Sequence, residues 1–336
     1  MKGKGGKKTF PGNLSRVFLP FLGITGAFLL LDRYGVVNPY WIQIFQLACV
    51  VAISGMGLNV IYGYTGLFSL GHAAFYGVGA YTAALLMKTY VAAYGGGAFL
   101  PMQAAFFCCL LAGGLTAALL GVLVGLPVLR LTSDYLGIAT LGFGVIMKVV
   151  FDNADSVLPQ LGGARGMTGI ARMTSIPWVV LGLAATTAVV RNLVDSTFGR
   201  ALLAIREDEI AASAMGIDTF RYKVIGFTVG CGFAGLAGGL YAHLYTFLHP
   251  SNFDFSKSID VLMIVVLGGM GNMTGTLFAS FCWIFLLEGL RVLLPPEYLE
   301  FRWVMIPVLL IVTMLLRPQG LLGLRELPFL RSGASR

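Results

Sequence analysis

The chain has 336 residues, of which 57% are hydrophobic and 11% are charged, and its formal net charge is +8. Soluble globular domains contain about 25% charged residues. A chain with less than half of that share cannot cover a water-facing surface, so the composition excludes an ordinary soluble domain and indicates a protein of the lipid bilayer. The 45 glycines are typical of membrane helices that pack closely through small side chains.

The first sixteen residues contain a cluster of basic side chains and no acidic one. Such a tail, directly before an apolar stretch, is typical of a cytoplasmic anchor against anionic lipid headgroups. We therefore expect membrane lipid as a partner and no binding of nucleic acid. The basic residues of this tail are Lys2, Lys4, Lys7, Lys8 and Arg16.

Ten apolar windows follow the tail, most of them long enough to cross a bilayer as a helix. The eighth is too short to cross alone and is followed by Gly-Gly-Met-Gly-Asn, which predicts a broken or re-entrant helix. The fold class is therefore an all-α, polytopic integral membrane protein with about ten transmembrane helices. The windows are 17–36, 40–62, 67–87, 101–129, 135–151, 175–194, 223–245, 259–269, 274–294 and 303–316.

The distribution of basic residues predicts the orientation of these windows. With ten crossings and the N-terminus inside, the inside segments hold 15 of the 23 lysines and arginines, which fits the positive-inside rule. Nine crossings would place the arginine-bearing tail 317–336 outside. We therefore predict one transmembrane domain, 17–316, between two cytoplasmic tails, 1–16 and 317–336.

Residues 195–222, called the surface segment below, form the longest polar stretch on the predicted inside. Asp195 or Ser196 is suited to cap a helix, and Gly216 followed by Asp218 is typical of a helix end and a new cap. The pattern predicts one or two short amphipathic helices at the membrane surface, where a partner docks. Their shared apolar face consists of Phe198, Leu202 and Ile205.

Intramembrane charge is scarce. Glu288 is the one acidic residue placed well inside an apolar window, and Arg291 follows it on the same helical face, so a local ion pair is the simpler interpretation. Ion-driven carriers need intramembrane carboxylates or unwound carbonyl sites, and the broken region 268–275 offers only the second. The pattern favours a pathway without charges whose energy is supplied by another protein.

The polar residues suggest no chemistry of their own. His72, His243 and His249 have no cysteine, histidine or carboxylate at ligand spacing, so we expect neither a metal site nor a catalytic site. His72 is nevertheless polar enough to line a pathway, and so are Asn59 and Ser69.

Five blocks stand in order between about residue 50 and residue 323. They are 57–81 (GLNVIYGYTGLFSLGHAAFYGVGAY), 129–143 (LRLTSDYLGIATLGF), 199–216 (GRALLAIREDEIAASAMG), 265–275 (VVLGGMGNMTG) and 316–323 (LRPQGLLG). Together they resemble the permeases of branched-chain amino-acid ABC importers. The extended N-terminus is similar to the longer, LivM-type subunit of that family.

The resemblance implies a heteromeric importer of leucine, isoleucine and valine in the bacterial inner membrane. Its partners would be a second permease subunit, two cytoplasmic ABC ATPases and an extracytoplasmic solute-binding protein. The chain itself would hold no cofactor, because ATP and Mg would bind to the ATPases, and it would not be an enzyme. Two alternatives stay open: a permease of the same family for urea, short amides or another small polar solute, and an ion-coupled secondary transporter.

The resemblance also implies site residues. ABC permeases carry a Glu-Ala-Ala…Gly pattern on a cytoplasmic helix that fits a groove of the ATPase, with charged contacts at its rim. The matching docking residues here are Arg206, Glu207, Asp208, Glu209, Ala211, Ala212 and Gly216. The candidates for lining the pathway are Asn59, Ser69, His72, Gly268, Gly269 and Asn272.

Overall fold

The computed structural model describes residues 38–95, 99–131 and 133–293, together with a few residues on either side. The two predicted tails and the predicted spans at 17–36 and 303–316 lie wholly or mostly outside these residues. In the described part the regular secondary structure is entirely helical, as predicted, and one isolated β-bridge is present. The additional described residues are 23, 25, 26, 295, 308, 311–313, 315–317 and 319–323.

Six of the described helices are long and apolar enough to cross a membrane, namely α1 with its continuation π1, α3, α4, α5, α8 and α10. The predicted polytopic architecture is confirmed, while the count of ten crossings is approximate. The elements are α1 (Pro39–Leu58), the π-helix π1 (Asn59–Tyr64), α2 (His72–Tyr94), α3 (Phe99–Val128), α4 (Ser133–Asp152), α5 (Ile176–Asp195), α6 (Thr197–Glu207), α7 (Glu209–Ala214), α8 (Thr219–Tyr245), α9 (Phe255–Gly268) and α10 (Met273–Leu293).

Helix α8 is the centre of the bundle and packs against α1, α2 and α3. Its contact with α2 is made by backbone: a Cβ on Gly238 would overlap the carbonyl oxygen of Tyr76, and one on Gly79 would overlap the backbone of Gly235. Lipid tails are as apolar as the helices, so close packing of small residues is a main source of helix association in membranes. Gly79 of α2 and Gly235 and Gly238 of α8 thus lie where the two backbones meet.

The third predicted window, 67–87, is wrong at both ends. Helix α2 begins only at His72 and continues to Tyr94, and the preceding stretch 65–71 is buried but not helical. Gly66 turns the chain at φ +76°, and the backbone N–H of Leu70 donates to Oγ1 of Thr140 at 3.0 Å. Irregular backbone is tolerated at membrane depth because neighbouring protein groups satisfy it.

The predicted break after the eighth window is confirmed. Helix α9 has 14 residues, so it is about 21 Å long, shorter than the apolar core of a bilayer. It starts beside Asp254, which forms an ion pair with Lys148 of α4, and it ends at a turn that contacts π1. The short helix therefore runs from the loop end of the bundle, where residues 152–176 lie, to the end that carries the surface segment.

The glycine-rich loop between α4 and α5, residues 153–175, is a set of tight turns packed on helix ends. Gly162 and Gly166 both have positive φ, and Met167 pairs with Leu248 in the isolated β-bridge. Lys88 of α2 donates to the carbonyl oxygen of Thr168 at 3.1 Å, which ties the loop to the bundle.

Glu288 is explained by local contacts, as expected. Arg291 Nη1 lies 3.6 Å from Glu288 Oε2, and the hydroxyl of Tyr40 donates to the same oxygen at 3.1 Å. The one acidic residue that the sequence places well inside an apolar window is thus paired between α10 and the start of α1.

We expect the Asp254–Lys148 pair to make stability depend on pH. The hydrogen bond from Lys148 lowers the pKa of Asp254, so the stabilisation is present above the unfolded pKa of about 3.9 and is lost as the pH falls through the lower folded pKa. Asp254→Asn keeps the cap on Phe255 but removes the charge. The stability gap from wild type should be below about 1 kcal/mol, because the pair is about one-third exposed, and should close in acid. Thermal unfolding in detergent across that pH range checks this; a gap independent of pH would contradict it.

Candidate functional site

The surface segment forms two short helices, α6 and α7, as predicted. Ser196 Oγ accepts from the N–H of Gly199 and so caps α6, whose Leu202 and Ile205 are buried against the bundle. Helix α7 is followed by Gly216 at φ +85°, a left-handed conformation that favours glycine. The amphipathic pattern therefore lays the segment flat against one end of the bundle.

Helix α7 presents an apolar outer face that sequence reasoning missed. Ile210 is 82% exposed and Met215 is 84% exposed, whereas the predicted docking residue Ala212 is 4% exposed and packs inward. Both large side chains lie within the block 199–216. The sequence alone does not show which positions of this block face outward, whereas the exposure of each side chain in the structure does. Ala211 is exposed on the same short helix, as the docking prediction requires.

The acidic docking residues are partly engaged within the chain. Asp208 caps α7, since its Oδ1 accepts from the N–H groups of Ile210 and Ala211 at 2.8 and 3.0 Å. Glu209 forms an ion pair with Lys223 of α8 and stays half exposed, and Glu207 is 3.2 Å from Arg206. A docking role for these groups stays a prediction.

Arg206 points toward the bundle rather than only toward a partner. Its Nη1 donates to the carbonyl oxygen of Gly63 at 2.6 Å, and Gly63 belongs to π1. Glycine is required at 63, because a Cβ there would overlap Oδ1 of Asn59 and crowd the backbone nitrogen of Gly271. The surface segment is thus bound to π1 and, through it, to the break between α9 and α10.

We call Asn59, Gly63, Arg206, Gly271 and Asn272 the polar joint. Oδ1 of Asn59 accepts from the N–H of Gly271 at 2.9 Å, and its Nδ2 donates to the carbonyl oxygen of Asn272 at 3.3 Å. Asn59 is 1% exposed and Asn272 is 3% exposed. Two buried residues predicted to line the pathway, Asn59 and Asn272, therefore meet Arg206, a predicted docking residue whose side chain is 33% exposed.

Asn272 satisfies the backbone of the break. Its Oδ1 accepts from the N–H of Gly275 at 2.9 Å, which caps α10, and its Nδ2 donates to the carbonyl oxygen of Gly323 at 2.6 Å. The N–H of Leu321 donates to the carbonyl oxygen of Leu267 at the end of α9 at 2.7 Å. Gly269 takes φ +104° to make the turn, and Gly268 packs on Gly275.

The remaining pathway candidates lie outside the polar joint. His72 opens α2 with Nε2 3.0 Å from the carbonyl oxygen of Ser54, and Ser69 is buried in the non-helical stretch before it. Sequence reasoning missed Asp260 in α9, whose side chain is 20% exposed and lies 3.9 Å from Lys257. Within the part of the chain that the structure describes, no cluster of histidine, cysteine and carboxylate side chains is arranged to hold a metal ion.

The chain matches known proteins over most of its length. The family described as "Branched-chain amino acid transport system / permease component" matches residues 40–314. The high-affinity branched-chain amino acid transport system permease protein LivM of Escherichia coli K12 is 34% identical over 330 residues, covering 88% of this chain and 73% of the relative.

Two relatives with lower identity are also described as branched-chain amino acid transport permeases. The permease protein LivH of Salmonella typhimurium is 25% identical over 83% of this chain and 93% of its own length. A probable branched-chain amino acid transport permease protein LivM of Methanocaldococcus jannaschii is 28% identical over 61% of this chain and 66% of its own length. No solved structure matches the chain. With the family match spanning the helical bundle, the polar joint and the surface segment, the chain belongs to the permease component family of branched-chain amino acid transport systems.

Proposed function

We propose that the chain is a membrane-spanning subunit of an ABC importer that translocates leucine, isoleucine and valine across the bacterial inner membrane. An extracytoplasmic binding protein delivers the amino acid, a second permease subunit completes the pathway, and two cytoplasmic ATPases bind and hydrolyse ATP with Mg. Both tails of the chain are cytoplasmic in this proposal. The names of the relatives support the cargo, and the basic residues of the inside segments support the orientation.

The exposed apolar side chains at α7 are the main support for the proposal that partner ATPases supply the energy for transport. Ile210 in α7 and Met215 directly after it are exposed at the end away from the glycine-rich loop, and an ion pair between Glu209 and Lys223 joins this helix to α8. Large apolar side chains exposed on an anchored helix are suited to enter a groove of another protein. Because the surface segment lies between α5 and α8, a push on it reaches two membrane helices directly.

We expect Ile210→Asp with Met215→Asp to abolish ATPase docking without unfolding the permease. A carboxylate would be desolvated in the apolar groove, so recovery of the ATPases with the tagged permease should fall at least about tenfold, or about 1.4 kcal/mol. Val157→Asp is the matched control, since Val157 is 78% exposed in the loop at the opposite end. Equal recovery of ATPases by both variants would contradict the docking role.

Uptake into proteoliposomes that contain the complete complex distinguishes the cargo alternatives. We expect ATP-dependent uptake of labelled leucine with its binding protein and no uptake of urea. Uptake of urea or acetamide instead would establish the first alternative.

The second alternative, an ion-coupled carrier, is tested with the permease subunits alone. Under an imposed proton or sodium gradient, we expect no leucine uptake without the ATPases. Gradient-driven uptake that Asp260→Asn abolishes would overturn the ABC assignment.

A further inference from the structure

The polar joint connects three segments that are far apart in sequence. It holds π1, the turn between α9 and α10, and α6 together; Gly63 and Arg206 are separated by 143 positions in the sequence, and Asn59 and Asn272 by 213. Two of these segments are irregular: π1 departs from α-helical hydrogen bonding, and the turn contains glycines with positive φ. A π-helical stretch inside an α-helix is frequent at functional sites.

We propose that Arg206 is a positioning residue that links displacement of the surface segment to the break between α9 and α10. The proposal rests on the proposed function, because it assumes that ATPases act on α7. In this arrangement, a movement of α6 displaces the guanidinium of Arg206. Through its hydrogen bond the guanidinium moves Gly63 of π1, and through close contact it pushes against Gly271 of the turn. Arg206 touches neither nucleotide nor cargo and acts through the backbone that it holds.

The contacts of Arg206 leave it little freedom to move alone. The hydrogen bond to Gly63 is charge-assisted, a stronger class than neutral hydrogen bonds. It falls at the C-terminal end of the α1–π1 helix, where a cation is favoured by the exposed carbonyl groups. Atoms at the base of the side chain pack on Gly66, where a Cβ would lie 3.0 Å from Cγ of Arg206.

The far side of the guanidinium is closed by Gly271. A Cβ on Gly271 would lie 2.8 Å from Nη1 of Arg206 and 3.1 Å from the carbonyl oxygen of Gly63. Gly271 is in turn held by Asn59 through its backbone N–H. The guanidinium therefore lies in contact with both π1 and the turn, so a displacement of α6 is transmitted to both.

The test compares Arg206→Ala, Arg206→Lys and Arg200→Ala in the reconstituted importer with its ATPases and binding protein. Arg200 is the matched control because it is an exposed arginine of the same helix. For Arg206→Ala we expect at least a tenfold loss of leucine transported per ATP hydrolysed by the complexes that assemble, a ratio that does not depend on the amount of ATPase recovered. Arg206→Lys keeps a cationic donor and should restore part of that ratio, and Arg200→Ala should leave it unchanged.

The ratio of transport to hydrolysis separates the inference from the function on which it rests. If the wild-type permease recruits no ATPase, the proposed function fails. If Arg206→Ala transports as much leucine per ATP as Arg200→Ala, Arg206 is not a positioning residue and the inference fails while the function stands.

A second variant covers the case in which Arg206→Ala gives no intact complex. Gly271→Ala keeps the arginine but crowds Nη1, and the same loss of coupling is expected. In an Arg206→Lys background the added methyl should cost less coupling than in wild type, because the group that it meets is shorter, whereas the backbone strain at φ +77° is the same in both backgrounds. A wild-type transport ratio in Gly271→Ala would overturn the inference.

Discussion

Asn59→Ala is expected to lower the free energy of unfolding by about 1–3 kcal/mol, the range for a polar group that loses its hydrogen-bond partner inside a protein. The N–H of Gly271 donates to Oδ1 of Asn59, and without it this partly buried donor loses its hydrogen-bond acceptor. The carbonyl oxygen of Asn272 also accepts from the N–H of Thr276, so it keeps a partner. The cost therefore comes mainly from one orphaned N–H and the volume of the missing amide.

Asn153→Ala is the matched control for this change. Asn153 is exposed at the end of α4, and its side chain donates only to the carbonyl oxygen of Val149 on its own helix. Such a surface change is expected to stay within about 0.5 kcal/mol of wild type. Reversible unfolding in mixed micelles, followed by helical circular dichroism, measures both. If the two alanine variants are equally stable, the break is not held by Asn59.

The spanning helices were largely predictable because the bilayer imposes a simple rule on them. A window of apolar residues has to satisfy its own backbone, and a helix does so. Windows 135–151 and 175–194 accordingly match Ser133–Asp152 and Ile176–Asp195 within two residues at each end. The start of α2 was not predictable in this way. Leu67 is buried although it lies in a non-helical stretch, so its apolar character does not distinguish that stretch from a helix.

The caps of the surface segment were predictable, whereas its tertiary contacts were not. Ser196 and Asp218 form hydrogen bonds within three residues, so their chemistry is visible in a short stretch of sequence. The sequence around Arg206 predicts only a charged surface residue. Its hydrogen-bond partner is the backbone carbonyl of Gly63, a group that every residue has. A glycine carbonyl in π1 leaves no mark in the sequence around Arg206.

Gly238→Ala is expected to destabilise the permease by about 3 kcal/mol or more, at the upper end of the range for overpacked interiors. The added Cβ would overlap the carbonyl oxygen of Tyr76 and approach the backbone nitrogen of Ala80 at 2.9 Å. Neither is a flexible side-chain end, so relief requires α2 and α8 to separate. Because α8 also packs against α1 and α3, that separation disturbs contacts on the other faces of α8 as well.

Gly232→Ala on the same helix isolates this effect. A Cβ at Gly232 would meet the Cβ of Ala118 at 3.5 Å, an ordinary contact, while the gain in helix propensity of about 1 kcal/mol is the same at both positions. We therefore expect Gly232→Ala to be as stable as wild type or more so, and the two variants to differ by about 3 kcal/mol or more. Unfolding in mixed micelles measures the difference. Equal stability of the two variants would contradict the direct backbone contact between α2 and α8. The close packing of α8 at the centre of the bundle, which supports the surface segment and the polar joint, would then be wrong.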